Sequence, residues 1–160
     1  MDMPCTIWLF WNKVTPYSLI AMNKTHPSYQ RIILYDGFCN LCNWWVQFII
    51  RHDKQQQFVF AAQQSSIAET LLKQFAKAPT DSNSVLLIEN GQLYTQSTAA
   101  LRIVKRLSGM WPCLYAGMLL PAAVRDKMYQ FIAKNRYRWF GKQSRCILPN
   151  PQWKHLFIDQ

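Results

Sequence analysis

From Arg31 onward, short unbroken apolar runs alternate with stripes of helical spacing, and the alternation predicts an ordered series of elements. Arg31-Ile32-Ile33-Leu34-Tyr35 is β-branched and apolar and stops at Asp36-Gly37, the pattern of a buried strand entering a turn. Leu41, Trp44, Trp45, Phe48 and Ile49 then fall at i, i+3, i+4, i+7 and i+8, one face of an amphipathic helix. Gln57 to Ala61 reads as a second strand. Ser66 with Glu69 three residues on is a capping-box signature for a helix running to about Lys77. A strand, a crossover helix and a second strand imply a right-handed parallel unit. Ser84 to Glu89 and Gln92 to Thr95 flank Asn90-Gly91, and a two-residue Asn-Gly loop between apolar runs predicts a hairpin, since both loop positions need positive φ. Ser97 or Thr98 is expected to cap a helix with Ala100, Ile103, Val104 and Leu107 on one face, ended by Gly109. The predicted order is βαβαββα.

Beyond Gly109 two proline-led helices are expected, Pro112 to about Leu120 and Pro121 to about Tyr137. In the second, Val124, Met128, Phe131 and Ile132 form the apolar stripe by which a helical annex, from about residue 110, would pack on the domain. At 160 residues the chain suits one domain, assigned to 29–160. Half of the residues are hydrophobic, which argues against disorder. Residues 1–28 are expected to be a peripheral or poorly ordered extension, with Met22 offering an alternative start. The apolar run Cys5 to Trp11 is short and preceded by Asp2 and Pro4, unlike an export signal. No segment approaches the roughly 18 apolar residues of a membrane span.

Charge changes the picture along the chain. The formal net charge is +10, and residues 101–160 hold eleven basic and two acidic residues against seven and six in residues 1–100. That face suits anionic partners, or simply solubility. Five cysteines, at 5, 39, 42, 113 and 146, make an odd count that does not resemble a secreted disulfide framework, so a reducing, cytoplasmic setting is expected.

Cys39 and Cys42 stand one helical turn apart at the start of the first helix. A thiolate that attacks and a second thiol that resolves the mixed disulfide are the two requirements of thiol-disulfide exchange, and the free N–H groups and positive dipole end of a first helical turn favour the thiolate. Cys39 is expected to be the exposed nucleophile and Cys42 the resolving thiol nearer the core. Asp36 either caps the helix or relays a proton to Cys42. Half of a zinc site is the alternative use of such a pair, but Cys113, Cys146, His26, His52 and His155 form no second ligand pair at workable spacing. No cofactor or metal is called for.

Leu34-Tyr35-Asp36-Gly37-Phe38-Cys39-Asn40-Leu41-Cys42-Asn43, Phe60-Ala61-Ala62-Gln63, Ser84 to Leu107, and Asn135-Arg136-Tyr137-Arg138-Trp139-Phe140-Gly141 with Cys146 after it resemble the DCC family of thiol-disulfide oxidoreductases. The resemblance covers about residues 31–148. It implies a thioredoxin-like α/β fold, with Cys39 and Cys42 as the redox pair and Asp36 as the signature acid. It brings no substrate beyond a protein or small-molecule thiol or disulfide. One departure stands out: thioredoxins carry a cis proline immediately before the third strand that helps bind the substrate chain, whereas Pro79 lies five residues before Ser84 and Asp81-Ser82-Asn83 occupies the approach.

The block Asn135 to Arg145 interleaves four basic residues with Tyr137, Trp139 and Phe140, a mixture that can bind nucleic acid by phosphate contact and stacking. Packing of the aromatics onto the domain, with the arginines capping a helix or solvated, is the preferred reading, and nucleic acid is disfavoured. Cys146 is expected to be a free buried thiol rather than a partner of Cys113, and His52 to serve the end of its helix. Trp44 and Trp45 are placed in the core or at the rim of the redox site. The function expected is thiol-disulfide exchange at Cys39 and Cys42. Its rival is a binding module of the same fold that docks an acidic partner through the basic C-terminal face.

Overall fold

The computed structural model describes residues 31–75, 84–142 and 151–158. The N-terminal extension, Pro79 with the approach to Ser84, and Cys146 lie outside them. Four strands, β1 (Arg31–Tyr35), β2 (Val59–Ala62), β3 (Leu86–Glu89) and β4 (Gln92–Thr95), form one sheet in the order β2-β1-β3-β4. β1 and β2 run parallel, with Ile33 beside Phe60, while β3 is antiparallel to both β1 and β4. The parallel pair is joined by α1 (Asn40–His52), as the sequence requires, and α2 (Ser66–Leu72) and α3 (Gln96–Val104) follow β2 and β4. This is a mixed α/β architecture consistent with a thioredoxin-like fold.

Helices on both faces explain why β1 is apolar at consecutive positions. Ile33, Tyr35, Phe60 and Leu87 pack against Val46 and Ile49 of α1 and Ala99 and Ile103 of α3. Ile32, Leu34, Val59, Ala61 and Ile88 pack on the other face against Ala68 and Leu71 of α2. Between β3 and β4, Asn90 at φ 52° and Gly91 at φ 76° make the expected two-residue loop.

Several boundaries differ from the sequence reading, each for a local hydrogen-bonding reason. β2 starts at Val59, because the Phe58 N–H donates to Asp53 Oδ2 at 3.0 Å rather than to a strand. Ser65, not Ser66, caps α2, accepting the Ala68 N–H at 3.2 Å. α2 stops at Leu72, where Gln74 and Phe75 donate three residues back and tighten the chain. α3 stops at Val104 by the same device at Arg106 and Leu107, five residues before Gly109 turns the chain at φ 94°. Neither Ser97 nor Thr98 caps α3: Ser97 donates to Asp126, and Thr98 accepts from Arg125 Nη2 at 3.2 Å.

The annex consists of a 3-10 helix over Trp111–Leu119 and the long α4 (Ala122–Phe140). Its packing reverses the expectation. Val124, Met128, Phe131 and Ile132 are all exposed, Phe131 by 62%. The face that α4 turns toward the domain runs through Arg125, Asp126, Tyr129, Ala133, Arg136 and Tyr137, and is held largely by polar contacts. Besides the two bonds to α3, the Tyr129 hydroxyl accepts the Val85 N–H at 2.9 Å, and Arg136 and Tyr137 both reach Asp36. Residues 151–158 return to the sheet, where the Ile158 N–H donates to the Phe60 carbonyl at 3.0 Å and Leu156 and Phe157 are buried. No described helix is long and apolar enough to cross a membrane.

Candidate active site

The turn Asp36-Gly37-Phe38 carries the chain from the end of β1 to the start of α1. Asp36 shapes it, since its Oδ1 accepts the Phe38 N–H at 3.0 Å and its main-chain carbonyl the Cys39 N–H at 3.3 Å. Asn43 Nδ2 closes the turn from the helix side by donating to the Gly37 carbonyl at 3.1 Å. Cys39 is thereby placed as the N-cap of α1, in extended conformation, and its Sγ accepts the Cys42 N–H at 3.4 Å. The sulfur does what a serine or aspartate oxygen does at other helix starts: it satisfies one of the unpaired first-turn donors.

This placement sets the two thiols apart electrostatically. The hydrogen bond from the Cys42 side chain, the Cys42 N–H and the positive charge of Arg136 together outweigh burial and the charge of Asp36, and lower the Cys39 thiol from 9.0 to about 6. Cys42 moves the other way: it is the donor in that bond, its partial burial disfavours charge, and a Cys39 thiolate repels a second negative charge. The two shifts favour a Cys39 thiolate beside a protonated Cys42, and both sulfurs are free of a disulfide.

Exposure is the reverse of the expectation. Cys39 has no accessible surface, while Cys42 is only partly buried. What covers Cys39 is the end of α4. Asn40 Nδ2 donates to the Phe140 carbonyl at 2.8 Å, Gly141 turns at φ 79°, and Lys142 forms an antiparallel bridge with Cys39.

Asp36 is itself buried and neither caps α1 nor stands free as an acid. Its Oδ1 also accepts from Gln64 Nε2 at 3.0 Å, and its Oδ2 accepts from Arg136 Nη2 at 2.6 Å and from the Tyr137 hydroxyl. Arg136 thus belongs to the site and turns away from solvent, which departs from the expected capping or solvated arginine. Trp139 and Phe140, expected to pack on the domain, are about half exposed. Trp45 packs on the core beside Cys42, whereas Trp44 is exposed, with its ring stacked 5.5 Å from Phe48. His52 Nδ1 lies 2.8 Å from the Phe48 carbonyl in the last turn of α1. Cys113 is exposed.

Four residues at or beside this site were not singled out as site residues from the sequence: Gln64, Tyr129, Arg136 and Tyr137. The last two lay in view, as adjacent members of the basic-aromatic block, but nothing local says that an Arg-Tyr pair a hundred residues away meets Asp36.

The family model of the DCC1-like thiol-disulfide oxidoreductases matches residues 33–142, from β1 to the lysine over Cys39. The chain belongs to this family. It is 46% identical over 129 residues to the uncharacterised protein YuxK of Bacillus subtilis, covering 80% of this chain and 93% of that one. A chloroplastic DCC family protein of Arabidopsis thaliana is 41% identical over 118 residues, 73% of this chain and 69% of the plant protein. No solved structure matches. The matched region includes the whole arrangement described above: the Asp36 turn, both cysteines, and the part of α4 that supplies Arg136 and Tyr137.

Proposed function

We propose that this chain is a thiol-disulfide oxidoreductase that cycles Cys39 and Cys42 between dithiol and disulfide through a mixed disulfide. Family membership supports the reaction class. The observation that carries the residues is the position of the Cys39 sulfur as N-cap of α1, bonded to the Cys42 N–H at 3.4 Å beside a buried guanidinium. A helix start, a hydrogen bond from the neighbouring thiol and a cation all favour a thiolate, and thiolate character governs exchange. Asp36 is a positioning residue in this reading. Its carboxylate shapes the turn that carries Cys39 and holds Arg136 in place, and its own charge acts against the thiolate.

Equilibration against dithiothreitol redox buffers, followed by intact mass, tests the reading. One two-electron transition is expected, with loss of two hydrogens, and it disappears in Cys39→Ser and in Cys42→Ser. A protein that keeps both thiols under oxidising buffer is not an oxidoreductase of this kind.

A further inference from the structure

A cavity of about 290 Å³ opens between α1, α3 and α4, and Cys42, not Cys39, lies in its wall. Leu41 and Trp45 of α1, Val85 ahead of β3, and Ile132 and Ala133 of α4 make it apolar. Of the other lining residues, Tyr35, Cys42, Tyr129 and Arg136 carry polar groups. The volume lies just under the roughly 300–1,000 Å³ typical of small-molecule sites.

Two features decide what the cavity suits. First, the main-chain donor at its mouth is taken: the Val85 N–H, just ahead of β3 where thioredoxins meet a substrate chain, is bonded to Tyr129 at 2.9 Å. An extended polypeptide therefore loses a main-chain partner there. Second, the more buried sulfur of the pair is the one at the helix cap, under Gly141 and Lys142, so the accessible route to the pair leads through the cavity to Cys42.

We infer that the cavity binds a low-molecular-weight apolar disulfide, and that this substrate exchanges with Cys42 while Cys39 acts first as base and then as resolving sulfur. The inference rests on the thiol-disulfide function proposed above. The steps balance on the pair's single proton. Attack of the Cys42 sulfur on one substrate sulfur is concerted with transfer of its proton to the Cys39 thiolate, because a free Cys42 thiolate beside a Cys39 thiol is the disfavoured placement of that proton; the substrate S–S bond breaks and one thiolate leaves. Cys39 then attacks the Cys42 sulfur of the mixed disulfide, its proton goes to the second departing sulfur, and the Cys39–Cys42 disulfide forms. Two electrons have moved from the pair to the substrate, which ends as one thiolate and one thiol.

The test uses the full chain with Cys5, Cys113 and Cys146 replaced by serine, so that only the pair can react. Rates of oxidation of the reduced protein are measured with 2,2′-dithiodipyridine and with glutathione disulfide, each divided by the rate of the same disulfide with N-acetylcysteine. The expected preference for the apolar probe is at least tenfold. It falls toward one in Ala133→Phe and in Ala100→Leu, which fill the cavity from α4 and α3, with thermal melting confirming that each variant is folded. In Cys39→Ser, which lacks the base, the apolar probe is expected to leave an adduct on Cys42 by peptide mass mapping more slowly than it oxidises the intact pair, and in Cys42→Ser an adduct on Cys39 forms at least tenfold more slowly still. Equal normalised rates for the two probes, or an adduct that forms faster on Cys39 than on Cys42, overturns the inference while leaving thiol-disulfide exchange intact. Failure of both probes to oxidise the pair overturns the function itself.

Discussion

Arg136 Nη2 lies 2.6 Å from Asp36 Oδ2, and both side chains are almost wholly removed from solvent. The pair spans one hundred residues of sequence and joins the turn before Cys39 to the penultimate turn of α4. A buried ion pair of this kind gives little net stability over an apolar pair of the same shape, but removing one partner strands a charge at a cost of about 3–5 kcal/mol. Its electrostatic effects on Cys39 are opposite in sign: Arg136 lowers the thiol's pKa and Asp36 raises it. Arg136→Met is therefore expected to destabilise the protein by about 3 kcal/mol and to raise the Cys39 pKa, while Asp36→Asn destabilises it and lowers that pKa further. Urea unfolding gives the first quantity and thiolate absorbance against pH the second. A merely structural pair would move stability in both variants and leave the titration alone.

The titration of Cys39 itself is the second expectation. Its largest cause is the hydrogen bond from Cys42, so Cys42→Ala is expected to move the midpoint from about 6 up toward the ordinary thiol value of 9.0. The sign for stability follows from linkage. A thiol whose folded pKa is depressed adds stability that is complete above the unfolded value, shrinks as pH falls from 9 toward 6, and is gone below. Cys42, shifted the other way, loses stability as pH rises past its unfolded value. Alkylation rates of the wild-type pair between pH 5 and 9 check the first shift: a rise centred near 9 instead of 6 contradicts it.

How much of this was legible in the sequence depended on the range over which each residue acts. Ile32 to Tyr35, the Asn90-Gly91 loop and the stripe Trp45-Phe48-Ile49 announce themselves because a buried strand, a two-residue turn and a helix face each leave a pattern among consecutive residues, whatever distant element they pack against. Cys39 and Cys42 were found for the same reason: an N-cap and its first turn lie within four residues. Burial of Cys39 was not legible, because its cover comes from Gly141 and Lys142. Nor was the inward face of α4. Period alone picks out the stripe Val124-Met128-Phe131-Ile132, but a stripe says only that residues share a face, not that the face is buried. The face that packs carries Arg125, Asp126, Tyr129 and Arg136, whose partners Thr98, Ser97, Val85 and Asp36 are scattered over sixty residues.

Glu89 offers a pH-dependent handle far from the cysteines. It is buried at the end of β3, and burial pushes its carboxyl up, yet Arg31, Arg102 and Arg106, at 3.0, 3.0 and 2.8 Å, outweigh burial and hold it below its ordinary 4.5. A depressed carboxyl adds stability that is complete above the unfolded value and drains away as pH falls through the lower folded one. Glu89→Gln is expected to cost about 3 kcal/mol at neutral pH, since three guanidiniums then face one another without a counter-charge. It should also flatten the acid side of the stability profile below pH 4.5. Urea midpoints at pH 7 and in the acid range test both; an unchanged acid slope would show that Glu89 does not set it.

The cover over Cys39 is held at a point that can be cut without touching either sulfur. Asn40 Nδ2 donates to the Phe140 carbonyl at 2.8 Å, and Gly141 sits at φ 79°, where a Cβ would also come within 3.3 Å of that same nitrogen. Asn40→Ala removes the tether for about 1 kcal/mol, the net worth of one hydrogen bond. Gly141→Ala costs about 1 kcal/mol in left-handed strain and presses the new methyl group against Asn40. Both are expected to speed alkylation of Cys39 by iodoacetamide severalfold at pH 8, because there the thiol is already above its midpoint of about 6 and the remaining brake is access to a sulfur with no exposed surface. If cover and cavity are separate routes to the pair, neither change alters the rate at which an apolar disulfide reaches Cys42. Equal acceleration at both sulfurs would mean instead that the end of α4 guards the whole site, and no acceleration at Cys39 would mean that the tether does not hold its cover in place.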